Sequence, residues 1–471
     1  MKRLTLLTFL LLLLIINHIF YNLFPEEKGL LYYFIGFSFV FQILVPLFKI
    51  IQKRSDLFDP FILFLFLFQF FYFVHPIQII LNGPTVWITK NIFDVKIAVK
   101  MFHYINVALI AFYLGYFSLK GEAKRKNNFE EFSLNRNEII TGKFISIIFV
   151  IIGFFAFFLI IKDNFVFYIS HLELRALSIR GHGILVFLAH LTPVGIFGYF
   201  YFSMSREKKL KPGLMLLTSL FLLLYLFEGS RGRVFITTLA LLLFYNYKIR
   251  NIKIKNILAF SLITFLLFWM FAGFRASGNF DDMNKERSRP LINEMITKMF
   301  YSTEHFVITI SEPPEKKLYG KSYLEPVFVW MPGIFWEKKP VAGIGTIYTN
   351  HYFPGKKAGG VSFGPGIIGG PLMNFGPAGI VLELFLLGLL LKFIYIRFLK
   401  REKNRYLSEM FYFLSLPVIV FISVSRTITT SFTMLLFFLI PLVLLFLSCK
   451  IFLFIIQKRT QIQEISDKNG I

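Results

Sequence analysis

Residues 4–24 read LTLLTFLLLLLIINHIFYNLF, a run of 21 residues without one charged side chain. At ~1.5 Å per residue this makes about 32 Å of helix, enough to cross the ~30 Å hydrocarbon layer of a bilayer. Met1-Lys2-Arg3 ahead of it would also suit a secretory signal. The apolar stretch is too long for one, however, and no small-x-small cleavage site precedes Pro25-Glu26-Glu27, so the segment reads as an anchor. Working outward, comparable runs recur at 30–48, 60–81, 98–119, 144–161, 184–203, 214–227, 234–247, 257–273, about 376–396, 410–424 and 431–449, giving twelve spans. The composition agrees. The 471 residues are 56% hydrophobic, 19% aromatic and only 17% charged, where a soluble domain carries about 25% charged side chains. The single cysteine, Cys449, excludes a disulfide framework and a Cys-based zinc site. The expected fold is an all-α polytopic membrane protein of about 12 helices.

A net charge of +24 would suggest nucleic acid in a soluble chain. Here the 51 Lys and Arg set the topology instead. With the N-terminus inside, the short cytoplasmic segments hold about 28 basic residues and the five short outer loops about 9, the asymmetry of the positive-inside rule. Both termini are therefore expected in the cytoplasm, and clusters such as Lys124-Arg125-Lys126 and Lys208-Lys209 read as topology signals. An anionic-lipid patch is the alternative reading of such clusters. The resulting organisation is spans one to nine in 1–273, an extracytoplasmic loop in 274–366, spans ten to twelve in 367–456, and a cytoplasmic tail in 457–471.

The loop is different in kind, because structureless connections of this length are uncommon. Ser288-Arg289-Pro290 reads as a helix start. Ile292, Met295, Ile296, Met299, Phe306 and Ile310 then recur at helical spacing until Pro313-Pro314, predicting an amphipathic helix. The second half is glycine-rich, with twelve of the chain's 31 glycines between Gly333 and Gly379. Glycine there permits close approach of a backbone or a ligand.

Arginines gather on the same side. Spans seven and eight, about fourteen residues each, are too short to cross unaided, and they meet at Glu228-Gly229-Ser230-Arg231-Gly232-Arg233. Arg175 and Arg180 precede span six, Arg275 follows span nine, and Arg426 sits in the turn between spans eleven and twelve. Guanidinium forks bind phosphate oxygens bidentately, and several together suit a pyrophosphate without a metal. For any one of them alone, a local salt bridge is the plainer reading.

Twelve spans, Gly229-Ser230-Arg231 opening span eight, and the long loop before span ten resemble the bacterial O-antigen or oligosaccharide repeat-unit polymerases of the Wzy type. The detailed likeness lies in the C-terminal half: Tyr319-Gly320-Lys321-Ser322-Tyr323, then Met331-Pro332, Trp336 and Lys339-Pro340, the glycine-rich 359–370, and Asn374-Phe375-Gly376-Pro377-Ala378-Gly379 entering span ten. Family members often carry Arg after the Met-Pro pair, where this chain has Gly333.

The resemblance implies glycosyl transfer on the outer face of the plasma membrane. A hydroxyl of one undecaprenyl-pyrophosphate-linked oligosaccharide attacks the anomeric carbon of another, and the lipid pyrophosphate leaves. Membrane lipid and a chain-length regulator protein are the other partners it suggests; no cofactor, metal or nucleic acid is implied. Such a reaction needs charge stabilisation at the leaving group and a base at the hydroxyl. Arg175, Arg180, Arg231, Arg233, Arg275 and Arg426 suit the first task. Glu304 and His305 are the candidates for the second, weighed against a helix-surface role, with Tyr319, Lys339 and His351 as substrate-loop residues. Asp281-Asp282 reads as a solvated turn, and His18, His75 and His190 as hydrogen-bonded packing residues. An O-antigen ligase shares the arginines and the loop. A lipid-linked oligosaccharide flippase would be expected to show matched broken helices at midplane, and an acyltransferase would need a polar setting for His190.

Overall fold

The computed structural model describes residues 2–24, 26–51, 58–84, 92–120, 134–162, 182–204, 212–227, 231–252, 255–256, 302–313, 317–330, 343–354, 363–400 and 406–469. Every regular element among them is helical. In chain order we label α1 Lys2–Leu23, α2 Lys28–Ile51, α3 Pro60–Asn82, α4 Val95–Ser118, α5 Arg136–Ile161, α6 Gly183–Met204, α7 Pro212–Phe227, α8 Arg231–Lys248, α9 Ser302–Ser311, α10 Glu325–Trp330, α11 Ile344–Tyr352, α12 Gly366–Phe375, α13 Pro377–Lys400, α14 Tyr406–Ser425 and α15 Ile428–Asn469.

Nine of the described helices are long and apolar enough to cross a membrane: α1 to α6 and α13 to α15. They coincide with expected spans one to six and ten to twelve. Span nine lies outside the described residues. Spans seven and eight differ from the reading above, because their helices are 16 and 18 residues long rather than about fourteen. The extension at α8 takes in the arginines: Arg231 and Arg233 occupy its first turn instead of a linking loop. The last span continues without a break into the tail, as one 42-residue helix.

The chain forms two compact units. The first comprises Met1–Lys124, Leu258–Lys400 and Val418–Met434. Its centre is the antiparallel pair α4 and α13. A Cβ added at Gly115 would run into the backbone of Phe385, and one added at Gly388 into the backbone of Phe112. Bare glycine on both helices lets the backbones meet, the small-residue device by which membrane helices gain packing without a hydrophobic drive. The π-turn Phe70–Val74 in α3 has a local cause. Pro76 has no N–H to offer the carbonyl four residues back, and that carbonyl, on Tyr72, takes the Gln42 side-chain amide at 3.3 Å instead.

The second unit comprises Arg125–Ile257, Arg401–Pro417 and Leu435–Ile471. Here α5 packs on α6 in the same manner, with the would-be Cβ of Gly195 only 2.7 Å from the Ser146 carbonyl oxygen. Lys248 pairs with Glu409 at 2.6 Å, and Tyr201 donates to the same carboxylate at 3.1 Å. His190 is hydrogen-bonded to the Val186 carbonyl at 2.7 Å and lies against the Phe437 ring, the packing role expected of it. His18, in the first unit, is exposed on α1 with its ring 5.7 Å from His103.

Candidate functional site in the first unit

The loop helix α9 overturns the amphipathic expectation. Every residue from Ser302 to Ile310 is buried, polar and apolar alike. Residues 288–301, where that helix was expected to start, lie outside the described set. A helix enclosed on all sides needs internal partners for its polar groups, and α9 meets α3 through two of them. Thr303 donates to the Phe71 carbonyl that the π-turn exposes. The Glu304 carboxylate faces His75 Nε2 at 3.8 Å, both side chains almost wholly enclosed. Glu304 is therefore not the helix-surface charge weighed from the sequence, since it is fully buried.

His305 turns the other way, towards α11. Its Nδ1 lies 3.2 Å from the Tyr348 hydroxyl, which also sits 3.1 Å from the His305 carbonyl. Burial, reinforced by nearby His75, holds this imidazole down to about 3, so it is neutral. Tyr348, Tyr352, Ile308 and Met373 close the apolar cluster around it. Tyr72 completes the frame: its hydroxyl accepts from the Ile367 N–H at 3.1 Å, at the start of α12.

Two of the sequence stretches that carry the resemblance meet here. The Leu318 and Tyr319 N–H groups donate to the carbonyls of Met373 and Asn374 at 3.0 and 3.1 Å. The Asn374 side-chain oxygen accepts from the Gly320 N–H at 3.2 Å and the Ser322 hydroxyl at 3.1 Å. Its amide nitrogen donates to Ser322 and to the Gly370 carbonyl. Gly320 is left-handed at φ 85°, and its would-be Cβ lies 3.2 Å from the Phe375 ring, so the turn needs glycine for conformation and for room. Tyr323 stacks on Phe375 and donates to the Glu383 carboxylate on α13. Burial and that neighbouring charge push the Tyr323 hydroxyl far above its ordinary range. Glu383 also receives the Ile428 N–H, at the start of α15.

One arginine of the expected set belongs to this unit with its side chain described. Arg426 is exposed in the turn between α14 and α15, and a Cβ at Gly364 would lie 3.8 Å from its Cα. Thr427 beside it caps α15, its hydroxyl accepting from the Thr430 N–H at 3.2 Å. Half-buried Glu325, at the start of α10, lies near enough to feel the Arg426 charge. Arg231 and Arg233 belong to the second unit; Arg233 is half-buried, and the Arg231 side chain is not among those described. Arg175, Arg180, Arg275 and Lys339, with Asp281, Asp282 and Gly333, lie outside the described residues. Tyr319 is 75% exposed and His351 is exposed on α11. Among the described residues no group of three His, Cys, Asp or Glu side chains is placed to hold a metal.

Tyr72, His75, Glu325 and Glu383 were not singled out from the sequence as site residues. A signal existed for three of them. Glu383 is a carboxylate inside a span, which is a functional hypothesis by default. Pro76 inside a span marks the broken helix that presents Tyr72 and His75.

Nine long apolar helices among the described residues, and a polar, hydrogen-bonded assembly built from the segment between two of them, define an integral membrane protein with a loop-built site. The family model for the O-antigen polysaccharide polymerase Wzy matches residues 3–455, and the chain belongs to that family. No curated protein and no solved structure matches it.

Proposed function

We propose that this chain joins undecaprenyl-pyrophosphate-linked oligosaccharide repeat units into O-antigen or a related surface polysaccharide. The reaction takes place on the outer face of the plasma membrane, both termini are cytoplasmic, and no metal ion takes part. Family membership supports a polymerase. The observation that carries the site is Arg426, an exposed guanidinium in a tight turn beside the polar loop assembly. A fork of this kind binds two phosphate oxygens and stabilises charge that grows as pyrophosphate departs. Arg175, Arg180, Arg231, Arg233 and Arg275 are each proposed as pyrophosphate-binding residues, and Tyr319, Lys339 and His351 as loop contacts to the sugars. Glu304 and His305 act through the frame they hold, since neither side chain reaches solvent.

The test is polymerisation by the purified protein of lipid-pyrophosphate-linked repeat units in excess EDTA. Arg426→Ala should lower turnover by about 10²–10³-fold, the scale of a lost oxyanion donor. Arg426→Lys should be nearly as damaging, because a point charge does not replace a bidentate fork. Activity lost to the chelator and restored by Mg²⁺ would overturn the metal-free part. Full-length glycan from the lysine variant would remove Arg426 from the site.

A further inference from the structure

A base that takes a proton from a sugar hydroxyl must come within about 2.6–3.2 Å of that oxygen. Glu304 and His305 are 0% and 2% exposed and face His75 and Tyr348 inside the unit. Glu383 is enclosed as well, occupied by Tyr323 and the Ile428 N–H. Glu325 is placed differently. It stands at the first turn of α10, directly after the 3-10 turn Lys321–Leu324, whose Ser322 is tied to Asn374. Among the described residues its carboxylate accepts one hydrogen bond, from the Ile344 N–H to Oε2 at 3.4 Å, and the side chain is half-buried. A Cβ at Gly343 would lie 3.6 Å from both its Cδ and Oε1, so the backbone of Gly343 passes beside the carboxylate. Arg426 acts on it by charge, yet among the described residues the two form no direct ion pair.

We propose that Glu325 is the catalytic base of this site, taking the proton of the attacking hydroxyl while Arg426 holds the departing pyrophosphate. In the step, the acceptor hydroxyl oxygen bonds to the anomeric carbon of the donor sugar. The bond from that carbon to the pyrophosphate oxygen breaks, and its electron pair leaves with the pyrophosphate. The hydroxyl proton ends on the Glu325 carboxylate. Burial raises this carboxyl above the usual carboxylate range, against the pull of the Ile344 N–H and of Arg426, which makes the ionised form a stronger base. The assignment rests on the polymerase reading and adds to it the group that accepts the proton.

The experiment is steady-state transfer by the full-length protein between lipid-pyrophosphate-linked repeat units, with Glu325→Gln, Glu325→Asp and Glu325→Ala compared at equal membrane level. Glu325→Gln keeps an acceptor for the Ile344 N–H, so it should fold and bind as before. Its kcat should fall about 10²–10⁴-fold with KM little changed, and the acidic limb of the pH–rate profile should disappear. Arg426→Ala should move that limb to higher pH, because Arg426 is the charged group described as acting on Glu325. Added formate should restore part of the rate to Glu325→Ala, which a merely structural role would not allow. Wild-type kcat and an unchanged acidic limb in Glu325→Gln, beside an active wild type, would overturn the assignment alone. A wild type that transfers nothing would overturn the polymerase reading and the assignment together.

Discussion

The Asn374 amide nitrogen donates to the Ser322 hydroxyl at 2.8 Å across 52 residues of sequence, and the amide oxygen of the same side chain accepts from that segment in return. Both side chains are buried, so each bond is made where water cannot replace it. The segments joined are two of the stretches that carry the resemblance to the polymerase family, so what they share is a mutual tie. Its product is a turn that leads straight into Glu325.

Asn374→Ala should therefore unfasten the turn while leaving the spanning helices in place. It removes a buried side chain with several hydrogen bonds and strands the Ser322 hydroxyl, at a cost of about 1–3 kcal/mol per unsatisfied group. Limited proteolysis should show faster cleavage within 317–330, and glycan synthesis should fall at unchanged membrane level. Unaltered proteolysis would show that the tie does not hold the turn.

Gly320→Ala acts on the same turn by another route. A left-handed Cβ costs about 1–2 kcal/mol, and the added methyl meets Phe375 at 3.2 Å. Pairing it with Phe375→Leu should relieve the contact and leave the conformational cost. The double variant is thus expected to recover part of the activity. Full recovery would mean that the backbone conformation carries no cost there.

Gly388→Ala probes the fold instead of the site. Its methyl would meet the Phe112 backbone, which has no rotamer to yield. Overpacking of this kind costs about 1–3 kcal/mol, and more where backbone must move. The thermal midpoint in detergent should drop, whereas Gly29→Ala, with nothing within 4 Å of its would-be Cβ, should change it little. Equal midpoints for the two would show that the α4–α13 contact is looser than described.

Among the described residues, nine expected spans coincide with long apolar helices, because a membrane helix announces itself locally, through some twenty uncharged residues. The site was not legible in the same way. Glu304 and Phe306 lie two residues apart on α9, and one-dimensional periodicity assigns them to opposite environments. In the structure both are buried, because α3, α11 and α12 surround the helix with partners far away in sequence. The 3.6-residue pattern registers one apolar neighbour, not a full shell of mixed ones. Tyr319–Tyr323 and Asn374–Gly379 were visible as motifs, but their pairing was not, since a hydrogen bond spanning 52 residues leaves no local trace. Of the arginines, Arg426 lies where it was read, in the turn between two helices; Glu325 sits among ordinary residues and carries no pattern of its own.

Acidification gives the last prediction, and its sign follows from His305. In the folded protein burial and neighbouring His75 hold this imidazole down to about 3, whereas an unfolded chain has it near 6.5. Below about 6.5 the unfolded state binds a proton that the folded state refuses. The contribution to stability is thus present above about pH 6.5 and lost as pH falls towards 3, with a slope on the order of 1 kcal/mol per pH unit. His305→Gln removes the titration while keeping a polar group for the Tyr348 hydroxyl. Thermal midpoints measured between pH 7 and 4 should therefore fall more steeply for the wild type than for His305→Gln. The variant should be the less stable of the two at pH 7, where the neutral histidine packs undisturbed. Parallel curves for the two proteins would show that His305 takes up its proton in the folded state and is not enclosed as described.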